Sequence, residues 1–99
     1  MSFDDETIQQ VWEKGSVEPN RDPDVWRKDA TQAWIRKENY GNRDSIYGWE
    51  IDHIRRVSDG GTDDISNLRP LQWQNNLARE DDPFAIVVTS EGDENIELD

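Results

Sequence analysis

The sequence predicts a small α+β domain, and three observations carry that prediction. Tyr47 to Ile54 alternates, with Tyr47, Trp49, Ile51 and His53 on one side, which is the period of a strand. Two other segments space their apolar residues three and four apart, as one helix face requires: Ile8, Val11 and Trp12, then Trp73 and Leu77. Leu, Ile, Val and Phe total only 20 of 99 residues, near the composition at which chains stop folding alone. Five tryptophans (Trp12, Trp26, Trp34, Trp49, Trp73) offset this shortage, because each can bury a large aromatic surface.

The elements follow in order. Asp5–Glu13 reads as a helix capped by Asp5 or Thr7 and stopped by Gly15. Residues 16–24, with Pro19, Asn20 and Asp22-Pro23, form a connector, and Pro23 opens a brief helical turn carrying Val25 and Trp26. Thr31–Arg36 fits a strand or a helix, and Tyr40-Gly41-Asn42 a turn. The strand at 47–54 is followed by a loop over Ser58–Asp64, marked by Asp59-Gly60-Gly61. Ile65–Leu71 is irregular or extended and ends near Pro70; a helix then runs from Leu71 or Gln72 to Arg79. Phe84–Val88 either adds a strand or stays disordered with its acidic surroundings.

The net charge of -12 argues against nucleic-acid binding until its distribution is considered. Residues 1–6 carry three acids and residues 80–99 carry eight, with no base in either, whereas residues 7–79 hold all 11 Lys and Arg against 12 acids. The organisation expected is therefore an acidic end at 1–6, a domain at 7–80 with its core at about 48–79, and a flexible acidic tail at 81–99. That tail either reflects adaptation to high salt or folds over the basic residues as a nucleic-acid mimic. With no cysteine, disulfides and thiolate zinc sites are excluded. No apolar run approaches a membrane span of roughly 20 residues, and the start lacks a secretory signal, so a soluble cytoplasmic protein with no membrane partner is expected.

The chemistry concentrates between Gly48 and Arg79. His53, the only histidine, is the one side chain ordinarily poised as a base near neutral pH. Asp52 and Asn76 offer hard oxygens suited to Mg²⁺ or Mn²⁺, with water and phosphate oxygens completing the shell. Asn67 is placed to orient the His53 ring through a hydrogen bond. Arg79, one turn beyond Asn76, can reach a phosphate, and Arg55 and Arg56 can lie along a phosphate backbone. Asp52 and His53 are adjacent on a strand and point to opposite faces, so they share a site only if the strand end twists or the loop folds over.

Trp49-Glu50-Ile51-Asp52-His53-Ile54, Gly60-Gly61, Asn67-Leu68, Leu71 and Asn76 with Arg79 together resemble the HNH endonuclease family and its ββα-metal fold. The resemblance spans about residues 48–79, with a looser likeness over Val11–Gly41 to small bacterial or phage members. It implies His53 as general base, Asn67 as the residue that orients it, and Asp52 and Asn76 as metal ligands. Two departures stand out. The second cysteine pair that holds structural zinc in many relatives falls on Gln72 and Asn75, so no structural zinc is expected. Asn76 replaces the last histidine, which favours Mg²⁺, with Mn²⁺, Ni²⁺ or Zn²⁺ as alternatives.

The function expected is divalent-metal-dependent hydrolysis of double-stranded DNA, by nicking from one site or by a double-strand break from two, as in a dimer. The alternative is an HNH-fold nucleic-acid- or protein-binding module with little catalysis, working with a larger phage or mobile-element complex. The acidic character and short length favour that alternative, and with no obvious recognition helix or basic arm the sequence gives no handle on DNA site preference.

Overall fold

The computed structural model describes residues 3–98. The outermost residues of the two acidic ends, 1–2 and 99, lie outside the described residues. The chain is α+β, with α1 (Asp5–Trp12), β1 (Trp26–Lys28), β2 (Trp34–Arg36), β3 (Trp49–His53), β4 (Leu68–Gln72), α2 (Trp73–Ala78), β5 (Val88–Glu91) and β6 (Glu94–Glu97). The strands pair as three separate antiparallel ladders, β1–β2, β3–β4 and β5–β6. No described helix is long and apolar enough to cross a membrane.

The N-cap of α1 is Asp4, one residue before the expected start. Its Oδ1 accepts from Thr7 N at 2.8 Å, which satisfies one orphan donor of the first turn and holds the Asp4 carboxyl below its ordinary pKa. The helix turns Val11 and Trp12 into a core completed by Ile35, Trp49, Ile51 and Leu68, with Phe3 and Ile8 packed against it. Trp12 and Trp49 meet with ring centroids 5.4 Å apart, which adds to the area term.

β3 pairs with β4 in a register that sets Asp52 opposite Arg69 and Ile51 opposite Pro70. Residues 68–72 thus form a full strand where an irregular or extended stretch was expected, and α2 begins only at Trp73. Gln72 ends the strand and caps the helix, its Oε1 accepting from Gln74 N at 2.9 Å and Asn75 N at 3.0 Å.

Gln72 and Asn75 are completely buried in a polar network. Asp29 Oδ1 accepts from Thr31 N (2.8 Å), Thr31 Oγ1 (2.6 Å) and Ala33 N (3.0 Å), and its Oδ2 accepts from Gln72 N (2.8 Å). Asn75 Nδ2 donates to Thr31 Oγ1 and to the Val88 carbonyl, while its Oδ1 accepts from Val87 N and Val88 N. Hydrogen bonds thus join the β1–β2 turn, the start of α2 and the chain after it.

The flexible tail expected from residue 81 onward is corrected by these bonds. Residues 88–97 form a hairpin whose Val88 is fully buried. Asn95 fastens it: Oδ1 accepts from Trp34 N at 2.7 Å, and Nδ2 donates to the carbonyls of Trp34 and Ile46. Trp34 Nε1 donates to the Gly92 carbonyl, and Asp93 pairs with Arg21. The hairpin therefore bonds to β2 and its neighbours, not to Arg55 or Arg56.

Candidate functional site

The loop from Ile54 to Asn67 is built around close backbone approaches. Gly60 adopts φ 90°, and a Cβ on Gly61 would lie 1.9 Å from the Arg55 carbonyl oxygen, so a larger residue there would force the loop apart. Asn67 braces the two sides: its Oδ1 accepts from Arg55 N at 2.8 Å, and its Nδ2 donates to the carbonyls of Arg55 (3.1 Å) and Thr62 (2.8 Å). This corrects the direct role expected for Asn67. Its amide is occupied by loop backbone, and the partner of the His53 ring is Asp63, with Nε2 to Oδ1 at 2.6 Å.

β3 is covered on both faces. Trp49 and Ile51 enter the core, while Glu50 and Asp52 face α2, where Asn76 Nδ2 donates to Glu50 Oε1 (3.0 Å) and Arg79 Nη1 donates to Asp52 Oδ1 (2.8 Å). Spacings of two on the strand and three on the helix give these cross-element pairs one common direction. At the strand end Asp52 and His53 nonetheless open on a single cleft of about 360 Å³, also lined by Arg56, Val57, Ser58, Asn76, Arg79 and Glu80.

Asp52 is 5% exposed, and a carboxylate so deeply buried needs ion-pair partners. It has two, since its Oδ2 also accepts from Arg69 Nε at 2.7 Å. Arg79 is similarly committed, donating from Nη1 to the His53 carbonyl (3.1 Å) and from Nη2 to the Ile54 carbonyl (3.0 Å). It ties α2 to the end of β3 and is not the free phosphate arginine that the sequence suggested. Arg55 and Arg56 have no carboxylate partner among the described residues; Arg55 Nε donates to the Asp59 carbonyl and Arg56 Nη2 to the Arg79 carbonyl. A second groove, lined by both with Ile54, Asp59, Arg79, Asp81 and Pro83, adjoins the cleft.

Burial pushes the Glu50 carboxyl up, but hydrogen bonds from Arg43 and Asn76 and the charge of Arg43 outweigh it, leaving Glu50 below its ordinary pKa. The Arg43 contact is bidentate, at 2.8 and 3.0 Å. Glu50 is thus spent on Arg43 and Asn76, in keeping with a salt-bridge residue and not a ligand.

The donor atoms suit a hard cation in an open site. Asp52 and Asn76 both line the cleft, and Asn76 Oδ1 has no partner among the described residues. Each Asp52 oxygen accepts one N–H and keeps a second acceptor direction. Among the described residues no three His, Cys, Asp or Glu cluster into a closed cage. One carboxylate and one amide, completed by water and phosphate oxygens, is a donor set that Mg²⁺ accepts.

Sequence reasoning missed Asp63 and Arg69. The only signal for Asp63 was its place after Gly60-Gly61, and Arg69 becomes visible only through its register opposite Asp52. In comparison with known proteins, residues 38–81 match the family model described as HNH endonuclease. No curated protein and no solved structure matches the chain.

Proposed function

We propose that this chain, whose residues 38–81 match the family model described as HNH endonuclease, hydrolyses phosphodiester bonds of double-stranded DNA with His53 as general base. The observation that carries the reading is the shared cleft, which gathers Asp52, His53, Asn76, Arg56 and Arg79 around one open space. His53 takes a proton from a water molecule lying against a cleft-bound phosphate, and the water oxygen attacks phosphorus as the bond to the leaving oxygen breaks. The leaving oxygen takes a proton from solvent, and the His53 ring later returns its own. Arg56 and, along the adjoining groove, Arg55 hold the flanking phosphates. Asp52 and Asn76 would hold a divalent cation, Mg²⁺ first and Mn²⁺, Ni²⁺ or Zn²⁺ as alternatives, which supplies charge stabilisation at the phosphate and leaving oxygen. One site nicks; a double-strand break takes two sites, in a dimer or with a partner. The setting proposed is soluble and cytoplasmic.

A second reading is favoured by one observation. Both Asp52 oxygens are held by arginines, which lowers the attraction of that carboxylate for a cation. A binding module of HNH fold with little catalysis, serving a larger phage or mobile-element complex, fits that arrangement. Plasmid cleavage with each of the four metals separates the two readings. Nicking by the parent that drops at least a hundredfold in His53→Ala is expected. Cleavage that survives His53→Ala defeats the general-base mechanism, and no cleavage with any metal leaves the binding module.

A further inference from the structure

Asp63 lies exposed in the loop after Gly60-Gly61, yet its carboxylate contacts the His53 ring, Nε2 to Oδ1 at 2.6 Å. We propose that Asp63 is the positioning residue for His53, fixing its tautomer and ring direction, and that Asn67 acts through it. The proposal rests on the reading of His53 as general base.

A carboxylate offers only acceptor atoms, so the ring nitrogen facing it carries the hydrogen, and Nδ1 of the neutral ring holds the lone pair. Nδ1 has no hydrogen-bond partner among the described residues, and it is not sealed from solvent. It is therefore the atom left to accept a proton from water.

The loop holds Asp63 in place. Asn67 Nδ2 donates to the carbonyl of Thr62, the residue just before Asp63, while its other bonds lock Arg55, two residues beyond His53. Asn67 thus joins the segment carrying the carboxylate to the segment carrying the ring. The Phe3 ring lies alongside, its centroid 6.1 Å from that of His53. A pair whose carboxylate is 46% exposed adds little to stability.

Because His53 is the only histidine, its ring nitrogens give one unambiguous pair of ¹⁵N resonances. The test compares the full chain with Asp63→Ala, Asp63→Glu and Asp64→Ala under conditions where the ring is neutral. Asp64→Ala removes an acid from the same loop, one bonded to Thr62 and not to the ring. Expected are a pyrrole-type Nε2 with an observable, hydrogen-bonded proton in the parent and in Asp64→Ala, and loss of that proton signal in Asp63→Ala. On plasmid DNA, Asp63→Ala lowers kcat roughly 10- to 100-fold with KM unchanged, as loss of an outer partner of a site residue does, and Asp63→Glu restores part of it. A pyridine-type Nε2 in the parent, or ring signals unchanged by Asp63→Ala, overturns the proposal. So does an unchanged kcat in Asp63→Ala when His53→Ala is inactive. If the parent cleaves nothing, the nuclease reading fails, and the ring resonances still decide whether Asp63 sets the tautomer.

Discussion

Replacing Asp29 with alanine tests the claim that a buried network of hydrogen bonds holds this fold together. Asp29 is 1% exposed and accepts from Thr31 N, Thr31 Oγ1, Ala33 N and Gln72 N. In Asp29→Ala the Thr31 groups can still reach water, but Ala33 N and Gln72 N are in buried bonds and lose their acceptor. Each such orphan costs about 1–3 kcal/mol, so a destabilisation of about 3–5 kcal/mol is expected. A chain of this size has roughly 5–15 kcal/mol in total. In urea, with a slope of about 1 kcal/mol per molar, the midpoint falls by about 3–5 M, or the variant unfolds in buffer. Asp29→Asn keeps an acceptor oxygen but sets an amide N–H toward a donor, and falls between the two. The assay is urea unfolding followed by tryptophan fluorescence. A loss below about 1 kcal/mol in Asp29→Ala, with Asp29→Asn equal to it, would falsify the view that this network holds the fold together.

The other predictions concern the hairpin, acid stability and the cation. Asn95→Ala removes three of the bonds that fasten residues 88–97 to β2 and Ile46 and leaves the Trp34 Nε1 bond to the Gly92 carbonyl; hydrogen exchange at Val88–Glu97 accelerates while α1 stays protected, at a cost of about 2 kcal/mol. Unchanged protection of that hairpin would remove Asn95 from its assigned role. Glu50 titrates below its ordinary value in the folded chain, so its contribution is present above its unfolded value and is lost as pH falls through the folded one. With the Arg43 side chain 51% exposed, that contribution is only about 0.5 kcal/mol. The stability gap between parent and Glu50→Gln therefore shrinks in acid; a gap that widens there contradicts the sign. Arg69→Gln relieves Asp52 of one of its two cations and tightens Mn²⁺ binding about fivefold to tenfold, read by calorimetry; equal or weaker binding argues against competition between arginine and cation.

What the sequence made legible is what lies close along the chain. Trp49–His53 has a two-residue period, and it forms a strand inside the expected Tyr47–Ile54. The hairpin at 88–97 was hidden because its stabilising residues are not apolar. Apart from the buried Val88, it is fastened by Asn95 and by Asn75 from α2, and no periodicity reveals an asparagine that caps backbone from another element. β1 and β2 have three residues each, too few for a period to declare itself. Pro70 suggested the end of an extended stretch, yet β4 is paired only with β3, and a ladder's unpaired edge tolerates a residue with no N–H.

The electrostatics of the cleft depend on the same distinction. The motif spacing brought Asp52, His53 and Asn76 to one cleft, but the company they keep is set by strand register and helix docking. Arg69 reaches Asp52 because β4 runs opposite β3, and Arg79 because α2 packs across it. Arg21, Lys28, Arg36 and Arg43 are likewise paired with acids elsewhere, and Lys14 and Arg27 are turned onto backbone carbonyls. The basic residues that balance the acids within 7–79 are therefore mostly consumed inside the fold. Arg55 and Arg56 stand beside the cleft without an acidic partner among the described residues, and a grip of so few cations gives weak association with DNA. The chemistry of the cleft and its hold on a polyanion are thus unequal. Under the proposed nuclease reading, the phosphate is best delivered by a partner chain or a second copy.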